Sequence, residues 1–287
     1  MGTTWASWRR ARVPFTSGRL TVAGYDVGDH GGAPVTFCHG YPSASVDIAP
    51  VLDRLGTGVR LLALDLPGFG ASDKPLGHPY SIAAASDAVE ALWAVCGVTS
   101  TVLAVHDYSV SVGQELLARR AEGGLAVELT GVVWMNGGIY PDLHRPTVGQ
   151  QLLLSDDGAA LAAAMDEAMF TDGIRGTWGE RVPFDEGAVA AIWASMEESD
   201  GARQMHALLH YIAERREHAD RWSAALEGSD LPTVFVWGDL DPVSGAHMIA
   251  RVEERRVRAR IERLADVGHW PTLEAPDEVA AALVSLL

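Results

Sequence analysis

The sequence predicts an α/β protein in which helices cover both faces of a mostly parallel, eight-stranded sheet, with a helical segment inserted between two strands. Short apolar segments alternate with helical patterns along most of the chain, and this alternation is typical of a parallel sheet covered by helices. From Gly137 to Ser229 the alternation stops and the sequence is helical, until the strand-like TVFVW restarts it. With 287 residues, the chain is long enough for one large domain and an insertion.

Two short strands are predicted near the start of the chain, and six apolar segments typical of buried parallel strands follow them. The predicted strands are Arg12–Phe15, Arg19–Val27, Val35–Phe37, Arg60–Leu64, Thr101–Val105, Leu129–Met135, Thr233–Trp237 and Arg258–Leu264.

Helical patterns separate these strands, and Ser or Pro stands at several predicted starts, where a helix favours a side-chain cap or a proline in its first turn. The predicted helices are Ser45–Leu55, Ser81–Cys96, Ser109–Arg120, Ser244–Val252 and Pro276–Leu287. We expect residues 1–136 and 230–287 to form the sheet domain, and residues 137–229 to form a helical cap domain.

The charge balance narrows the classes of partner. Lys and Arg number 22 against 38 for Asp and Glu, a net charge of -16, and such a field repels phosphate backbones and anionic membrane surfaces. The sequence has no apolar stretch of signal-peptide length at its start and none long enough to span a bilayer. We therefore expect a cytoplasmic protein that binds a small hydrophobic substrate, and neither nucleic acid nor a membrane. The oligomeric state is left open.

The cysteines indicate neither a disulfide framework nor a metal site. Cys38 lies on a predicted buried strand and Cys96 at the end of a predicted helix, and their spacing matches no set of metal ligands. We expect two small buried side chains and a protein without a metal or an organic cofactor.

The segment LAVHDYSVSVGQELLARR joins a predicted strand to a predicted helix through a sharp turn. A turn of this kind lifts one side chain above the sheet as a nucleophile, and its strained backbone favours small residues two positions before and after it. If the strand runs from Thr101 to His106, the turn falls at Asp107. The flanking positions then hold Val105, which is not small, and Ser109, which is.

A second register of the same segment would make Ser111 the nucleophile of a serine hydrolase, since SVSVG also has the required spacing. The length of the strand favours Asp107, because Ser111 would then lie inside the following helix. A third interpretation treats Asp107 as a helix cap and no more.

A base and its orienting acid are predicted on two loops near the end of the chain. The segments VWGDLDPVS and LADVGHWPTLEAP each follow a predicted strand, and they place Asp241 and His269 above the sheet. Asp239 competes with Asp241 for the acid role. We favour Asp241 because Pro242 fixes the turn that follows it.

An oxyanion site is predicted where FCHGYP ends a strand, since a backbone turn there can bring an N–H beside the nucleophile. The expected donors are the amides of Tyr41 and Tyr108. The turn LDLPGFGASDKP, which follows the next strand, strengthens this interpretation. His39 is assigned to substrate binding, although a histidine at a strand end more often forms structural hydrogen bonds.

The motifs HGYP, DLPGFGASDKP, HDYS, WGDLDP and GHWPTLEAP together resemble the epoxide hydrolase and haloalkane dehalogenase branch of the α/β-hydrolase superfamily, over nearly the whole chain. NGGIYPDLHRP and HYIAERREHADRW resemble in particular the mesoderm-specific transcript group of that branch. The resemblance implies the α/β-hydrolase fold. It also implies that Asp107 attacks an alkyl carbon and that His269 then activates the water that hydrolyses the ester. The branch usually has Gly where this chain has Val105 and Ser109.

The leaving group separates the two chemistries of the branch, because an epoxide oxygen needs a proton donor and a halide needs N–H donors. Dehalogenases of the branch usually have Trp after the nucleophile and Asn after His-Gly, where this chain has Tyr108 and Tyr41. Tyr211 resembles the hydroxyl donor that epoxide hydrolases place on a cap helix, and Tyr140 is a second candidate. We therefore predict an epoxide hydrolase, ahead of a haloalkane dehalogenase, a Ser111-dependent ester hydrolase and a non-catalytic ligand-binding homologue.

Two further assignments concern the predicted cap. Its tryptophans, with Trp178 as the first candidate, are expected to line an apolar pocket for a hydrophobic substrate. Arg215, Arg216 and the other charged residues of the same helix are expected to form a solvated helix face.

Overall fold

The computed structural model of the protein, which describes residues 5–198 and 201–287, contains the predicted eight-stranded sheet. Each predicted strand is present, with ends that differ by a few residues. The strands are β1 Arg12–Ser17, β2 Leu20–Gly28, β3 Ala33–Cys38, β4 Val59–Asp65, β5 Ser100–His106, β6 Glu128–Met135, β7 Thr233–Gly238 and β8 Arg260–Leu264.

The order of the strands brings several loops to one edge of the sheet. The order is β1-β2-β4-β3-β5-β6-β7-β8, and β2 runs antiparallel to both β1 and β4. The remaining neighbours are parallel. Because parallel strands end at the same edge, the loops after β3, β5, β6 and β7 meet there. The order of the strands reverses between β3 and β5, and ligands of such sheets bind at that point.

Among the described residues, four helices precede β6. They are α1 Trp5–Arg10, α2 Ala49–Leu52, α3 Ile82–Cys96 and α4 Tyr108–Ala121. Ser81 caps α3, as predicted, by accepting a hydrogen bond from the Ala84 N–H. The predicted helix Ser45–Leu55 is instead a 3₁₀ turn, Ser45–Ile48, followed by α2. Pro50 lies in the first turn of α2 and has no N–H with which to continue an earlier helix.

Between β6 and β7 the described residues form helices and loops and contain no strand. The helices are α5 Val148–Leu153, α6 Gly158–Ala163, α7 Glu167–Arg175, α8 Glu186–Glu197, α9 Met205–Leu208, α10 Tyr211–Glu217 and α11 Ala219–Glu227, with a 3₁₀ turn at Gly201–Gln204. α11 packs against α4. The assignment of residues 137–229 as a separate cap domain remains a prediction.

Three helices complete the fold, namely α12 Ala246–Glu254, α13 Pro271–Glu274 and α14 Pro276–Val284. α12 begins two residues later than predicted because the hydroxyl of Ser244, the expected cap, donates to Asp241 instead. Within the described ranges, no helix is both long and apolar enough to cross a membrane.

The hydrophobic core surrounds the central strands. The side chains of β5 from Thr101 to His106 are buried, and so is the whole of β7. Cys38 is buried at the end of β3 and Cys96 is half-buried, and both are free thiols. A rigid, close-packed sheet of this kind holds the loops at its edge in fixed positions.

Candidate active site

Asp107 lies at the turn between β5 and α4, with φ 47° and ψ -104°. Few residues other than glycine adopt a positive φ, and such strain is held where the surrounding structure requires it. The N–H of Asp107 donates to the carbonyl of Asn136 at 2.9 Å, and its own carbonyl accepts from Val110 at 3.0 Å. The turn therefore has the geometry of a nucleophile elbow. Ser111, the nucleophile in the alternative register of this segment, lies inside α4 and not at the turn.

The elbow forms although its flanking residues are Val105 and Ser109. Val105 is fully buried, and the hydroxyl of Ser109 donates to the carbonyl of His39 at 2.5 Å. Gly40 provides the close approach that the turn needs, because a Cβ at that position would lie 2.8 Å from the Cβ of Asp107. The small residue that this elbow requires is thus supplied by the neighbouring loop after β3.

One oxygen of the Asp107 carboxylate occupies the predicted oxyanion position. The N–H of Tyr41 donates to Oδ2 of Asp107 at 2.9 Å. Tyr108 is the first residue of α4, and the N–H groups of a helix's first turn have no partner within the helix. Oδ1 of Asp107 lies 3.7 Å from Nε2 of His269. The two carboxylate oxygens therefore face different groups.

His269 connects Asp107 to Asp241. Nδ1 of His269 lies 2.7 Å from Oδ2 of Asp241, so the carboxylate accepts the proton of Nδ1. Asp241 also accepts from the Ser244 hydroxyl at 2.7 Å and from the Val243 N–H at 2.8 Å. The competing Asp239 pairs instead with Arg263 at the exposed surface. The geometry favours Asp241 over Asp239 as the orienting acid.

Burial and charge determine the protonation of these groups. Burial by itself lowers the pKa of His269, but the carboxylates of Asp241 and Asp107 outweigh it and raise the pKa to about 9. Burial raises the pKa of Asp241, yet His269 and the other donors hold it well below its ordinary value. The pKa of Asp107 is raised by burial, and the cations of His269 and Arg215 oppose that rise. With a pKa of about 9, His269 is thus a cation at neutral pH, placed between the carboxyl groups of Asp241 and Asp107.

Two residues that the sequence analysis did not single out hold the loops that carry Asp241 and His269. Asn136, which follows β6, accepts from the Gly238 N–H at 2.7 Å and donates to Asp241 at 3.0 Å. Nε2 of His106 donates to the carbonyl of His269 at 2.7 Å. Burial lowers the pKa of His106 to about 3, so it stays neutral. Both are polar residues at the end of a strand, and this position in the sequence was the feature that could have indicated their role.

Two tyrosine hydroxyls in this site have no hydrogen-bond partner within the described ranges. They belong to Tyr41 and Tyr211, and both side chains are buried. Burial raises the pKa of each phenol above its usual value and the charge of Asp107 adds to the rise, while Arg215, close to the Tyr211 hydroxyl, opposes it at Tyr211. The rings of Tyr211 and Tyr108 pack edge to face, with centroids 4.8 Å apart. An unbonded buried hydroxyl is costly unless a ligand uses it.

A cavity of about 130 Å³ opens between the sheet edge and helices α5, α7 and α9. On the sheet side its wall includes Tyr41, Val243, His269 and Trp270. On the helical side the lining is largely apolar and comes from Leu153, Met165, Met169, Phe170, Ile174 and Met205. The cavity is therefore suited to an apolar molecule whose reacting atom lies near His269.

Three of the predicted site residues lie in other surroundings. The Tyr140 hydroxyl donates to Glu227 at 3.2 Å. Trp178 packs on Phe184, and its indole N–H donates to the Val182 carbonyl rather than lining the cavity. Nδ1 of His39 bonds the Gly40 carbonyl, and its Nε2 accepts from the Leu66 N–H. These three side chains use their polar groups within the protein.

Arg215 corrects a prediction made for the charged face of its helix. It is 1% exposed rather than solvated, and its Nε donates to the hydroxyl of Ser111 at 2.8 Å. Arg216, the next residue, is exposed as expected. Across residues 5–198 and 201–287, no group of His, Cys, Asp and Glu side chains is arranged to hold a metal ion.

Comparison with known proteins identifies the family. Residues 37–282 match the sequence model of the alpha/beta hydrolase family. The chain belongs to that family. It is 35% identical over 249 residues to a Mycobacterium tuberculosis protein provisionally named hydrolase LipZ, with 87% of this chain and 86% of that one covered. It is 33% identical over 284 residues to the human mesoderm-specific transcript homolog protein, covering 94% and 84%.

Solved structures of other alpha/beta hydrolases share the fold. The haloalkane dehalogenase DbeA from Bradyrhizobium elkani superposes with a TM-score of 0.79 at 20% identity, covering 96% of this chain and 98% of that one. A Klebsiella pneumoniae protein provisionally named an epoxide hydrolase gives 0.78 at 18% identity, covering 98% of each chain. The predicted α/β-hydrolase fold, membership of the superfamily and likeness to the mesoderm-specific transcript group are thereby confirmed.

Proposed function

We propose that this alpha/beta hydrolase opens epoxides by forming an ester on Asp107, which water activated by His269 then hydrolyses. The observation that carries the proposal is the pair of unbonded buried hydroxyls, on Tyr41 and Tyr211, next to the elbow carboxylate. A strained ether needs such a donor when its C–O bond breaks, whereas a halide leaves as an anion without a proton.

In the first step, Oδ1 of Asp107 attacks an epoxide carbon while Oδ2 remains bonded to the Tyr41 N–H. The C–O bond of the ring breaks, and its oxygen takes a proton from a tyrosine hydroxyl. Tyr211 is our candidate for that proton, and Tyr41 for a second hydrogen bond to the same oxygen. No base is needed, because a carboxylate is already a nucleophile.

In the second step, His269 takes a proton from water, and the hydroxide adds to the carboxyl carbon of Asp107. Alkylation prepares this step, since it removes the Asp107 charge that helps to raise the pKa of His269. The imidazolium therefore releases its proton to solvent after the ester forms and acts as a neutral base, while Asp241 holds its tautomer. The amides of Tyr41 and Tyr108 would stabilise the oxyanion, and its collapse expels an alkoxide that takes the proton from the His269 imidazolium and leaves as the diol.

The other candidate reactions have less support. For a halide, the indole N–H of Trp270, in the cavity wall, is not free, because it donates to Thr177 at 2.9 Å. A Ser111 ester hydrolase would need an accessible nucleophile, whereas Ser111 is buried in α4 and bonded to Arg215. A non-catalytic role gives no reason to keep Asp107, Asp241 and His269 within reach of one another.

Single-turnover mass spectrometry in ¹⁸O-water tests the proposal. Excess enzyme is mixed with apolar terminal epoxides, and in parallel with haloalkanes and aryl esters of similar size. We expect ¹⁸O in the Asp107 peptide after epoxide turnover, because water attacks the carboxyl carbon of the ester. Asp107→Asn is the inactive control, and Ser111→Ala should still place the label on Asp107. Label appearing in the diol alone, or turnover of haloalkanes in preference to epoxides, would overturn the assignment.

A further inference from the structure

Arg215 is a buried cation in the part of the site that faces Asp107 and Tyr211. It lies on α10, four positions after Tyr211, and its guanidinium carbon is 4.7 Å from the centre of the Tyr211 ring. One nitrogen, Nε, donates to Ser111. The other two, Nη1 and Nη2, are buried and have no hydrogen-bond partner among the residues that the structure describes.

The carboxylates near Arg215 are paired with, or hydrogen-bonded to, other groups. Glu115 pairs with Arg119 and Arg221, and Glu214 accepts from the Ile82 N–H. In the described ranges Arg215 itself takes part in no ion pair within 4.0 Å. A cation without a paired carboxylate is expensive to bury. Stability therefore does not explain why an arginine occupies this position.

The groups that face Arg215 are a carboxylate, phenols and a neutral imidazole. Its charge lowers the pKa of Asp107, Tyr108 and Tyr211, each of which burial raises. Burial, with Arg215 as the next cause, lowers the pKa of His144 to about 3. The remaining charged groups around the site are Glu214, Arg216, Asp241 and His269. Among the groups whose pKa Arg215 lowers, Asp107 is the one that loses its charge when the ester forms.

The fold reserves space for this guanidinium at the loop after β6. A Cβ added to Gly138 would lie 1.8 Å from Nη1 of Arg215 and 3.2 Å from Nδ1 of His144. Any larger residue at Gly138 would push Arg215 away from its position. The position of the Arg215 guanidinium thus depends on the space beside Gly138 and on the hydrogen bond to Ser111.

We propose that Arg215 is a positioning residue that stabilises the phenolate left on Tyr211 after this hydroxyl protonates the epoxide oxygen. The inference rests on the proposed function. Before the reaction, Arg215 faces the anion of Asp107. When Asp107 becomes a neutral ester, the proton leaves Tyr211 for the substrate oxygen, and Arg215 then faces the phenolate. The proton released when Asp107 returns to a carboxylate restores Tyr211, so that epoxide and water give the diol with no net proton change.

The first test measures Tyr211 without any substrate. The protein is prepared with 3,5-difluorotyrosine, whose phenol titrates at lower pH, and the ¹⁹F signal of residue 211 is assigned with Tyr211→Phe. We expect Arg215→Met to raise the pKa of this phenol by roughly one unit or more. Arg216→Met, on the exposed face, is the matched control and should leave it unchanged. If Arg215→Met also leaves it unchanged, the inference is overturned, whatever the substrate.

The second test compares leaving groups under single-turnover conditions. Arg215→Met should slow ester formation from an epoxide roughly tenfold or more, and Arg215→Lys, which keeps the charge, should recover most of the rate. The acid limb of the pH profile should move to higher pH because Asp107 loses a nearby cation. Above that limb, any residual reaction with an alkyl iodide should be unaffected. Gly138→Ala, which displaces the guanidinium, should resemble Arg215→Met.

The outcomes separate the two proposals. An equal loss with epoxide and iodide would mean a structural role for Arg215, and a rise in KM confined to carboxylated epoxides would mean that it binds a substrate anion. Either result overturns the inference. If wild type forms no ester with any epoxide, the proposed function fails, and the ¹⁹F titration alone decides whether Arg215 acidifies Tyr211.

Discussion

Tyr41 contacts Asp107 through its main chain, with a 2.9 Å hydrogen bond from its N–H to Oδ2, while its side chain lines the cavity beside His269. The same residue therefore offers an amide to the carboxylate and a free hydroxyl to a bound molecule. The two groups can be separated by mutation, since a phenylalanine keeps the amide and removes the hydroxyl.

Tyr41→Phe is expected to slow ester formation from epoxides by roughly tenfold, because one hydrogen bond to the departing oxygen is lost. Hydrolysis of the ester should keep its rate, since the amide remains. Rapid-quench mass spectrometry of the Asp107 peptide measures both steps. Tyr140→Phe, which removes a hydroxyl already bonded to Glu227, is the control and should match wild type. A slower hydrolysis step in Tyr41→Phe, with normal ester formation, would contradict the assignment.

His269→Gln is expected to form the ester on Asp107 and to stall there. Attack on carbon needs no proton transfer to His269, whereas activation of water does. Intact-protein mass spectrometry should detect one added substrate mass, and peptide mapping should locate it on Asp107. The double variant His269→Gln, Asp107→Asn should gain no mass. Full turnover by His269→Gln would mean that another group activates water.

Asp241→Asn is expected to reduce the hydrolysis step by a factor on the order of 10³ to 10⁴, because an amide has no charge to stabilise the imidazolium and can offer its N–H to Nδ1, which favours the wrong tautomer. Nδ1 of His269 and Oδ2 of Asp241 lie 2.7 Å apart. Asp239→Asn is a matched control, since Asp239 pairs with Arg263 outside the site and should affect the rate little. Rates are compared at pH 7 after circular dichroism has established that both variants fold. A larger effect from Asp239→Asn would reverse the assignment of the acid.

Asp47 gives a prediction about stability and pH. It is 1% exposed, and burial raises its pKa to about 8. Because the folded pKa lies above the unfolded one, the neutral acid stabilises the fold at low pH, and this contribution is lost as pH rises toward 8. Asp47→Asn keeps a neutral side chain of the same shape. At pH 8 it should therefore be more stable than wild type by several kcal/mol and have a higher Tm, because each unit by which the pKa is raised corresponds to about 1.4 kcal/mol.

The two proteins should differ less at pH 5, where Asp47 is protonated in the folded state. Thermal unfolding followed at pH 5, 6, 7 and 8 measures the difference, in which the titration of His269 is common to both proteins. A gap in Tm that is constant with pH would show that Asp47 is not the titrating group.

The sequence by itself determined the sheet, its order of elements and the placement of Asp107, His269 and Asp241. These features depend on local patterns: apolar segments of strand length, a turn after each strand, and the parallel arrangement that brings strand ends to one edge. The strand bounds shifted by a few residues, and one predicted helix became a 3₁₀ turn followed by α2, starting near Pro50.

Only the tertiary structure decided which polar side chains stay unbonded. Tyr140 and Glu227 are 87 positions apart, and Arg215 and Ser111 are 104 apart. Hydrogen bonds over such separations depend on how the helices after β6 pack on α4, which no local pattern encodes. For that reason Tyr140 was a plausible donor and Arg215 a plausible surface charge until the fold was known. The free hydroxyl of Tyr41 and the buried cation of Arg215 both follow from packing between elements distant in the chain.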